Sequence, residues 1–311
     1  MGEKITQLLQ KKDAGTYTAP ELAALAAAFR LEMFDVLHQR GTGHWGGASS
    51  AAEIVTALYF GRLKIKSENP QWEDRDRFIL SKGHASINLY TILAHRGYFP
   101  AAELPDFRKL GSRLQGHPNM KLVPGVDFST GALGHGLSAG AGMALGASLA
   151  GKTWNTYVLA GEGCLDEGQT WEAMLFAAKY KPRGLVFLID NNRVQLDGTV
   201  ADILPLDPIP DKFRAFGWNL APTVYDGNDT AAILQSFEWL DTQPSPKGEG
   251  SPLDQTGDNW PKAVIYSTIK GRGVSFMEGK SAWHGAPIDD ANYAKGRPEL
   301  AADLAEKEAR L

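Results

Sequence analysis

The chain has 311 residues, 43% of them hydrophobic and 22% charged, which is ordinary for a globular protein and enough for one large domain with a substantial core. Thirty-two Lys and Arg stand against 36 Asp and Glu, and the resulting net charge of −4 gives no electrostatic footprint for nucleic acid. One cysteine, Cys164, excludes an internal disulfide framework and suits a reducing compartment.

Residues 1–17 read as a polar lead-in without the apolar segment or cleavage pattern of a secretion signal, so the expected location is the cytoplasm. Thr18-Ala19-Pro20-Glu21 is a capping box with an early proline, and it opens a helix that runs to about Gln39. Residues 48–59 and 87–96 read as two further helices. From 128 to 150 no side chain carries a formal charge, a run long enough to span a bilayer. It is built of Gly, Ala and Ser rather than Leu and Ile, so its transfer into lipid is unfavourable and no membrane partner is expected. The spacing predicts a buried helix there, with Gly136/Gly140 and Gly142/Gly146 admitting close approach of another backbone.

The most informative stretch follows. Thr156-Tyr157-Val158-Leu159-Ala160 reads as a buried strand and Leu185-Val186-Phe187-Leu188-Ile189 as a second. Between them Trp171, Met174, Leu175 and Ala178 recur at helical spacing, so the unit is strand–helix–strand. Such a crossover makes the strands parallel and brings their carboxyl ends to one edge, where open α/β sheets bind ligands. Gly161-Glu162-Gly163 ends the first strand and Asp190-Asn191-Asn192 the second. An oxygen from Glu162, the Asn192 amide and a backbone carbonyl just beyond could hold a hard divalent cation there. The free N–H groups of a helix starting near Gly163 would then face a phosphate.

Further along, a strand over 217–225 leads to Asp226-Gly227-Asn228-Asp229 and a helix over 230–240. Residues 263–269 form another strand. The stretch 243–261, rich in Pro, Gly, Ser and Asp, reads as an exposed loop. Residues 291–311 form a C-terminal helix or tail of Ala, Leu, Glu and Lys, leaving 18–290 as the main domain.

Gly-acid-Gly, two to three dozen residues, then Asn-Asn resembles the thiamine-diphosphate fingerprint, although the middle acid here is Glu162 rather than Asp. Gly43-His44, Ser81-Lys82-Gly83-His84-Ala85-Ser86, Gly116-His117-Pro118, Ser129-Thr130-Gly131-Ala132-Leu133-Gly134-His135-Gly136 and Trp283-His284-Gly285-Ala286-Pro287 resemble transketolase motifs, in the transketolase order and at similar spacing. The resemblance runs from about Leu22 to Asp289. It implies an α/β thiamine-diphosphate-binding fold, with a mostly parallel central sheet and helices on both faces.

The resemblance also implies the site. His44, His84, His117 and His284 would line the channel around the thiazolium and act on substrate hydroxyls, and near pH 7 imidazoles suit proton transfer. His84, Gly131, Ala132, Leu133, Gly161, Gly163, Cys164, Asn192 and His284 would bind thiamine diphosphate. Glu162, Asn192 and the Val194 carbonyl would hold Mg²⁺, with Ca²⁺ or Mn²⁺ as alternatives because of the longer Glu162 carboxylate. Glu167 and Glu172 match family glutamates near a subunit interface, although Glu167 also suits the start of a helix. Cys164 has no adjacent base and reads as a small residue at a helix start rather than a nucleophile. His38 and His95 read as structural, and His135 as locally hydrogen-bonded.

A transketolase carries a pyrimidine-binding domain after this one, and none fits after His284 in this sequence. The implied function is therefore the diphosphate-binding subunit of a two-subunit transketolase, paired with a separate pyrimidine-binding subunit in a heterotetramer. It would move a two-carbon ketol unit from a ketose, as a sugar or sugar phosphate, to an aldose. Two alternatives stand beside it: the α subunit of a thiamine-dependent 2-oxo-acid dehydrogenase, and a non-catalytic partner subunit. The histidine motifs argue against the first, and Glu162 motivates the second.

Overall fold

The computed structural model describes residues 2–11, 15–243 and 260–311. The segment 2–11 departs from a plain lead-in, because Glu3–Leu9 (α1) folds with Ile5 and Leu8 buried. The capping box is present as expected: Thr18 and Glu21 cap one another, and Ala19–Arg40 (α2) ends on Gly41 at φ 59°. The helix expected over 48–59 starts earlier and is broken into Trp45–Ser50 (α3), Ala52–Thr56 (α4) and a π-helical turn, Ala57–Arg62. Arg77–Leu80 (β1) then leads through a 3₁₀ turn at Gly83–Ala85 into Ser86–His95 (α5), the helix expected at 87–96.

His135–Leu149 (α6) precedes Thr156–Gly161 (β2), and Gly168–Tyr180 (α7) crosses to Leu185–Asn191 (β3). Short helices Val200–Ile203 (α8) and Ile209–Ala215 (α9) lead to two two-residue strands, Asn219–Leu220 (β4) and Tyr225–Asp226 (β5). Thr230–Thr242 (α10), Lys262–Ser267 (β6) and Asp290–Ala309 (α11) complete the order. The loop expected at 243–261 falls almost wholly on residues outside those described.

Every pairing among the named strands is parallel, in the order β1-β2-β3-β6-β4, with β5 joining β6 further along. Both faces of the sheet are covered, so alternate residues enter two separate cores. Tyr157, Leu159, Val186, Leu188, Val264 and Tyr266 pack toward α2, α4, α5 and α10. Val158, Ala160, Phe187, Ile189, Ala263 and Ile265 pack toward α6, α7 and α9. This two-sided burial explains why β2 and β3 read as continuous apolar runs rather than alternating ones. Phe187 sits with Phe213 and Trp218 at ring separations of 5.8–6.2 Å, and its truncation to Ala would cost about 3–5 kcal/mol.

Two helix expectations need correction. Within this single chain one face of α6 is buried: Gly136 and Gly140 press on Ser81 and Val158, whereas an added Cβ at Gly142 or Gly146 would meet nothing within 4 Å among the described residues. Within α7 the buried face is Thr170, Ala173, Met174 and Ala177, and Leu175 is 59% exposed. The cause is a 3₁₀ turn over Glu162–Asp166, which delays the α-helix from the expected Gly163 to Gly168 and rotates its face.

Candidate active site

The parallel register aligns the carboxyl ends of the strands. Gly161 pairs with Asp190, and Asn191 pairs with Ser267. The segments leaving that edge therefore carry Glu162, Asn192 and Lys270 to one place, while the turn after β1 brings Lys82 and His84.

At the floor lies a buried polar network. The Lys82 ammonium pairs with Asp190, and Ser50 donates to the same carboxylate at 2.7 Å. Thr268 donates to its other oxygen. Asp190 is thus fully engaged, which leaves Glu162 as the carboxylate with capacity to spare. Glu162 Oε2 accepts from the Asn192 N–H at 3.0 Å, whereas Oε1 is buried without a hydrogen-bond partner among the described residues. Burial, reinforced by Asp190, pushes the Glu162 carboxyl up to about 7. A buried carboxylate oxygen lacking a donor is what a hard cation would satisfy.

The other two expected ligands are close in sequence and locally tied. Asn192 Oδ1 accepts from the Val194 N–H at 3.2 Å across Arg193, which turns the chain at φ 66°. The Val194 carbonyl accepts from Lys270 Nζ at 2.9 Å. The donor set of carboxylate, amide and carbonyl oxygens fits a divalent cation beside a diphosphate. Gln195 ties this turn to the one after β2 by donating to Asp166 at 2.7 Å.

Three of the four expected histidines come together. His44, His84 and His284 form a triangle with ring separations of 5.4, 5.4 and 4.8 Å. His117 lies exposed beside Gly131, where an added Cβ would stand 3.4 Å from its ring. Gly83 is packed against Thr130 and the Gly131 N–H so tightly that a Cβ would lie 2.6–2.9 Å from them. The Thr130–Gly131 backbone therefore abuts the turn that carries His84.

Two cations that sequence reasoning missed set the state of the imidazoles. Arg108 Nη2 donates to His44 Nδ1 at 3.2 Å, and Lys270 Nζ donates to His284 Nδ1 at 2.8 Å. A ring nitrogen that accepts from a cation is unprotonated, so each imidazole carries its proton on Nε2. Burial, then Arg108, lowers His44 to about 4, and burial, then Lys270, lowers His284 to about 3. Burial and Lys82 hold His84 well below its usual range. Lys270 itself drops to about 8 through burial and Lys82. The strand ending at Ser267 was legible, and the carboxyl-edge rule applied to it would have flagged Lys270. Arg108 reaches His44 from a turn at φ 58°, which no local pattern announces.

The remaining candidates separate. Cys164 is buried and its thiol is pushed up by burial, in keeping with an inert residue. Gly161 ends β2 and Gly163 lies in the 3₁₀ turn that carries Glu162. Glu167, the residue that caps α7, and Glu172 in its second turn are both exposed. His38 stacks on Tyr293 at 3.8 Å and contacts Asp290, and His95 stacks on Phe29 and contacts Glu32. Both belong to the packing of α2 and not to the site. Among the described residues His135 bonds the neighbouring Leu133 carbonyl, at 3.1 Å.

A doubly covered parallel sheet with a cation-ready carboxylate and clustered imidazoles at its carboxyl edge defines a cofactor-dependent α/β enzyme domain. Residues 22–308 match the family described as "Transketolase, thiamine diphosphate binding domain", and the chain belongs to that family. It is 37% identical over 280 residues to the 6-deoxy-6-sulfo-D-fructose transketolase subunit SqwG of Clostridium sp. (strain MSTE9), covering 90% of this chain and 96% of that protein. It is 40% identical over 242 residues to an apulose-4-phosphate transketolase subunit of Actinobacillus succinogenes, covering 78% and 82%. The transketolase structure from Leishmania mexicana superposes with a TM-score of 0.79 at 25% identity, covering 94% of this chain and 45% of that one. The chain thus spans under half the length of that solved transketolase. Thiamine diphosphate with a divalent metal is the cofactor this family membership implies, and a 2-oxo-acid dehydrogenase subunit is not favoured. Among the described residues no helix is long and apolar enough to cross a membrane.

Proposed function

We propose that the chain is the diphosphate-binding subunit of a two-subunit transketolase, transferring a two-carbon ketol unit from a ketose to an aldose. The observation that carries the reading is the His44–His84–His284 triangle, with His44 and His284 oriented by Arg108 and Lys270, beside the Glu162 oxygen that has no partner among the described residues. Glu162, Asn192 and the Val194 carbonyl would hold the metal, and Lys270, which reaches the Val194 carbonyl, would add positive charge toward a bound diphosphate. When bound, thiamine diphosphate supplies the carbanion chemistry. The protein's own share is to position sugar hydroxyls and move their protons. The Nε2–H groups of His44 and His284 donate to sugar oxygens, because their Nδ1 lone pairs are already taken by Arg108 and Lys270.

The second subunit carries the pyrimidine-binding half, in a heterotetramer. Two observations support it. The relatives named as transketolase subunits match along 82–96% of their own length. Apolar side chains also stand exposed on segments rimming the carboxyl edge: Met120, Leu122, Leu196 and Ile269, at 39–59%. The substrate is a sugar or sugar phosphate. The test is to purify the chain alone and with a pyrimidine-binding subunit, then measure ketol transfer and mass by light scattering. Full turnover by the isolated chain would overturn the two-subunit reading.

A further inference from the structure

At the opposite edge of the sheet, where β2, β3 and β6 begin, lies a second polar hollow. A cavity of about 310 Å³ is walled by the starts of these strands, the end of the π-helical turn and the last turn of α10. Its charged lining is Arg62, Lys64, Arg183 and Lys262 against one carboxylate, Asp241. A neighbouring cavity of about 460 Å³ shares Arg62, Lys64, Asn155 and Asp241 with it. The chain as a whole is anionic at −4, so this concentration of positive charge runs against its overall balance.

The single acid is already committed. Arg62 donates through Nη2 to Asp241 Oδ1 at 2.8 Å, through Nη1 to Oδ2 at 3.2 Å, and through Nε to the Tyr157 hydroxyl at 2.7 Å. Lys262 Nζ donates to the Leu240 carbonyl at 3.2 Å, and its pKa is lowered by burial and by Arg62. The Lys64 and Arg183 side chains have no hydrogen-bonded or ion-paired partner among the described residues. One wall is the half-exposed Trp260 indole, with Lys181 Nζ 4.2 Å from its ring centre. Asp76, at the neighbouring cavity, is occupied by the Lys64 and Asn155 N–H groups at 2.9 and 2.7 Å. Among the described residues the cavity sets four cations against one lining carboxylate, which Arg62 takes, and the Lys64 charge is met only through space by Asp76, so the hollow keeps a positive potential that a compact dianion answers.

We propose that this amino-edge cavity is a binding site for a small phosphate dianion, either free phosphate or a phosphate monoester. It is separate from the cofactor site, because the six residues of β2 put roughly 20 Å between the two edges. The inference does not depend on the ketol-transfer reading.

The experiment is calorimetric titration of sodium phosphate into the chain already loaded with thiamine diphosphate and Mg²⁺, with ionic strength held constant by NaCl. Loading occupies the carboxyl edge and leaves the amino edge as the phosphate site. One saturable equivalent is expected, and the double variant Lys64→Glu/Arg183→Glu should bind at least tenfold more weakly, about 1.4 kcal/mol. Both side chains are exposed, so the melting temperature should hold. Lys262→Met, which keeps the apolar stem, should weaken binding by a similar factor. Glycerol 3-phosphate as a second titrant separates the sources, since a monoester ligand binds more tightly than inorganic phosphate and free phosphate does the reverse. No saturable binding by the unaltered chain, or equal binding by the variants, overturns the proposal.

Discussion

The two edges of the sheet gather cations in different ways. At the carboxyl edge Lys82 and Lys270 are 2% exposed, and they act on other groups: one neutralises Asp190, and the other holds a carbonyl and an imidazole. At the amino edge Arg62 is locked to Asp241 and Tyr157, while Lys64 and Arg183 line the hollow without a hydrogen-bonded or ion-paired side-chain partner among the described residues, Lys64 feeling Asp76 only through space. Buried cations of the first kind are held by an acid, a carbonyl or a ring beside the proposed cofactor site. Arg62 is a fastener for the π-helical turn and α10. The lesson is that charge alone does not mark a site. What marks it is whether the charge is spent on structure or held ready for a ligand or a neighbouring ring.

That contrast can be broken by substitution. The largest effect should follow Asn192→Ala or Glu162→Gln, each of which removes a metal oxygen or its charge. Calorimetry should show thiamine-diphosphate affinity falling by about 10²-fold or more, and EDTA should mimic the loss. Unchanged affinity in both variants would refute the metal assignment. His84→Ala and His284→Ala should each lower kcat/KM by on the order of 10²-fold, measured with the partner subunit present. Their melting temperatures should stay close to the parent, because these side chains sit at the pocket and not in either core.

Lys270→Met and Arg62→Met set the edges directly against each other. Lys270→Met should weaken cofactor binding by about tenfold or more and let the His284 pKa rise, which NMR of the ring would follow. Arg62→Met should leave cofactor affinity intact but destabilise the fold, since it strands Asp241 and the Tyr157 hydroxyl, by about 1–3 kcal/mol in denaturant titration. If Arg62→Met also abolished cofactor binding, the edges would not be independent. The smallest effect is in pH. His44 and His284 titrate near 4 and 3 when folded but near 6.5 when unfolded. Below about 6.5 the unfolded chain binds more protons, so their contribution to stability should be full above that pH and decline as pH falls toward 4. His44→Gln/His284→Gln should flatten that decline, and an unaltered slope would contradict the buried neutral rings.

Much of this was readable in the residues. The strand–helix–strand unit, the capping box at Thr18 and the turns carrying Glu162 and Asn192 are local patterns, and His44, His84 and His284 each stand in a short glycine-flanked motif. What escaped depends on other parts of the chain. The 3₁₀ turn after Glu162 shifts the face of α7, because Thr170 bonds back to the Cys164 carbonyl and Trp171 to that of Leu165. Leu175 therefore points outward although its spacing with Trp171 and Ala178 is helical. Residues 3–9 looked polar because only Ile5 and Leu8 are needed to anchor that turn on the core. Arg108 and Lys270 become meaningful only once folding sets them against rings 64 and 14 residues away.

The in-step register of β2, β3 and β6 has one more consequence. Adding a residue to any of these strands would advance its end by ~3.3 Å and swap every side chain between the two cores. The backbone can thus be lengthened only in ruinous increments, and the finest adjustment open to evolution at this edge is the number of methylenes in a side chain. Glu162, one carbon longer than the aspartate of the resembling motif, is such a trim setting. Homologous sites of this kind should be compared by the reach of their carboxylate as well as by its presence.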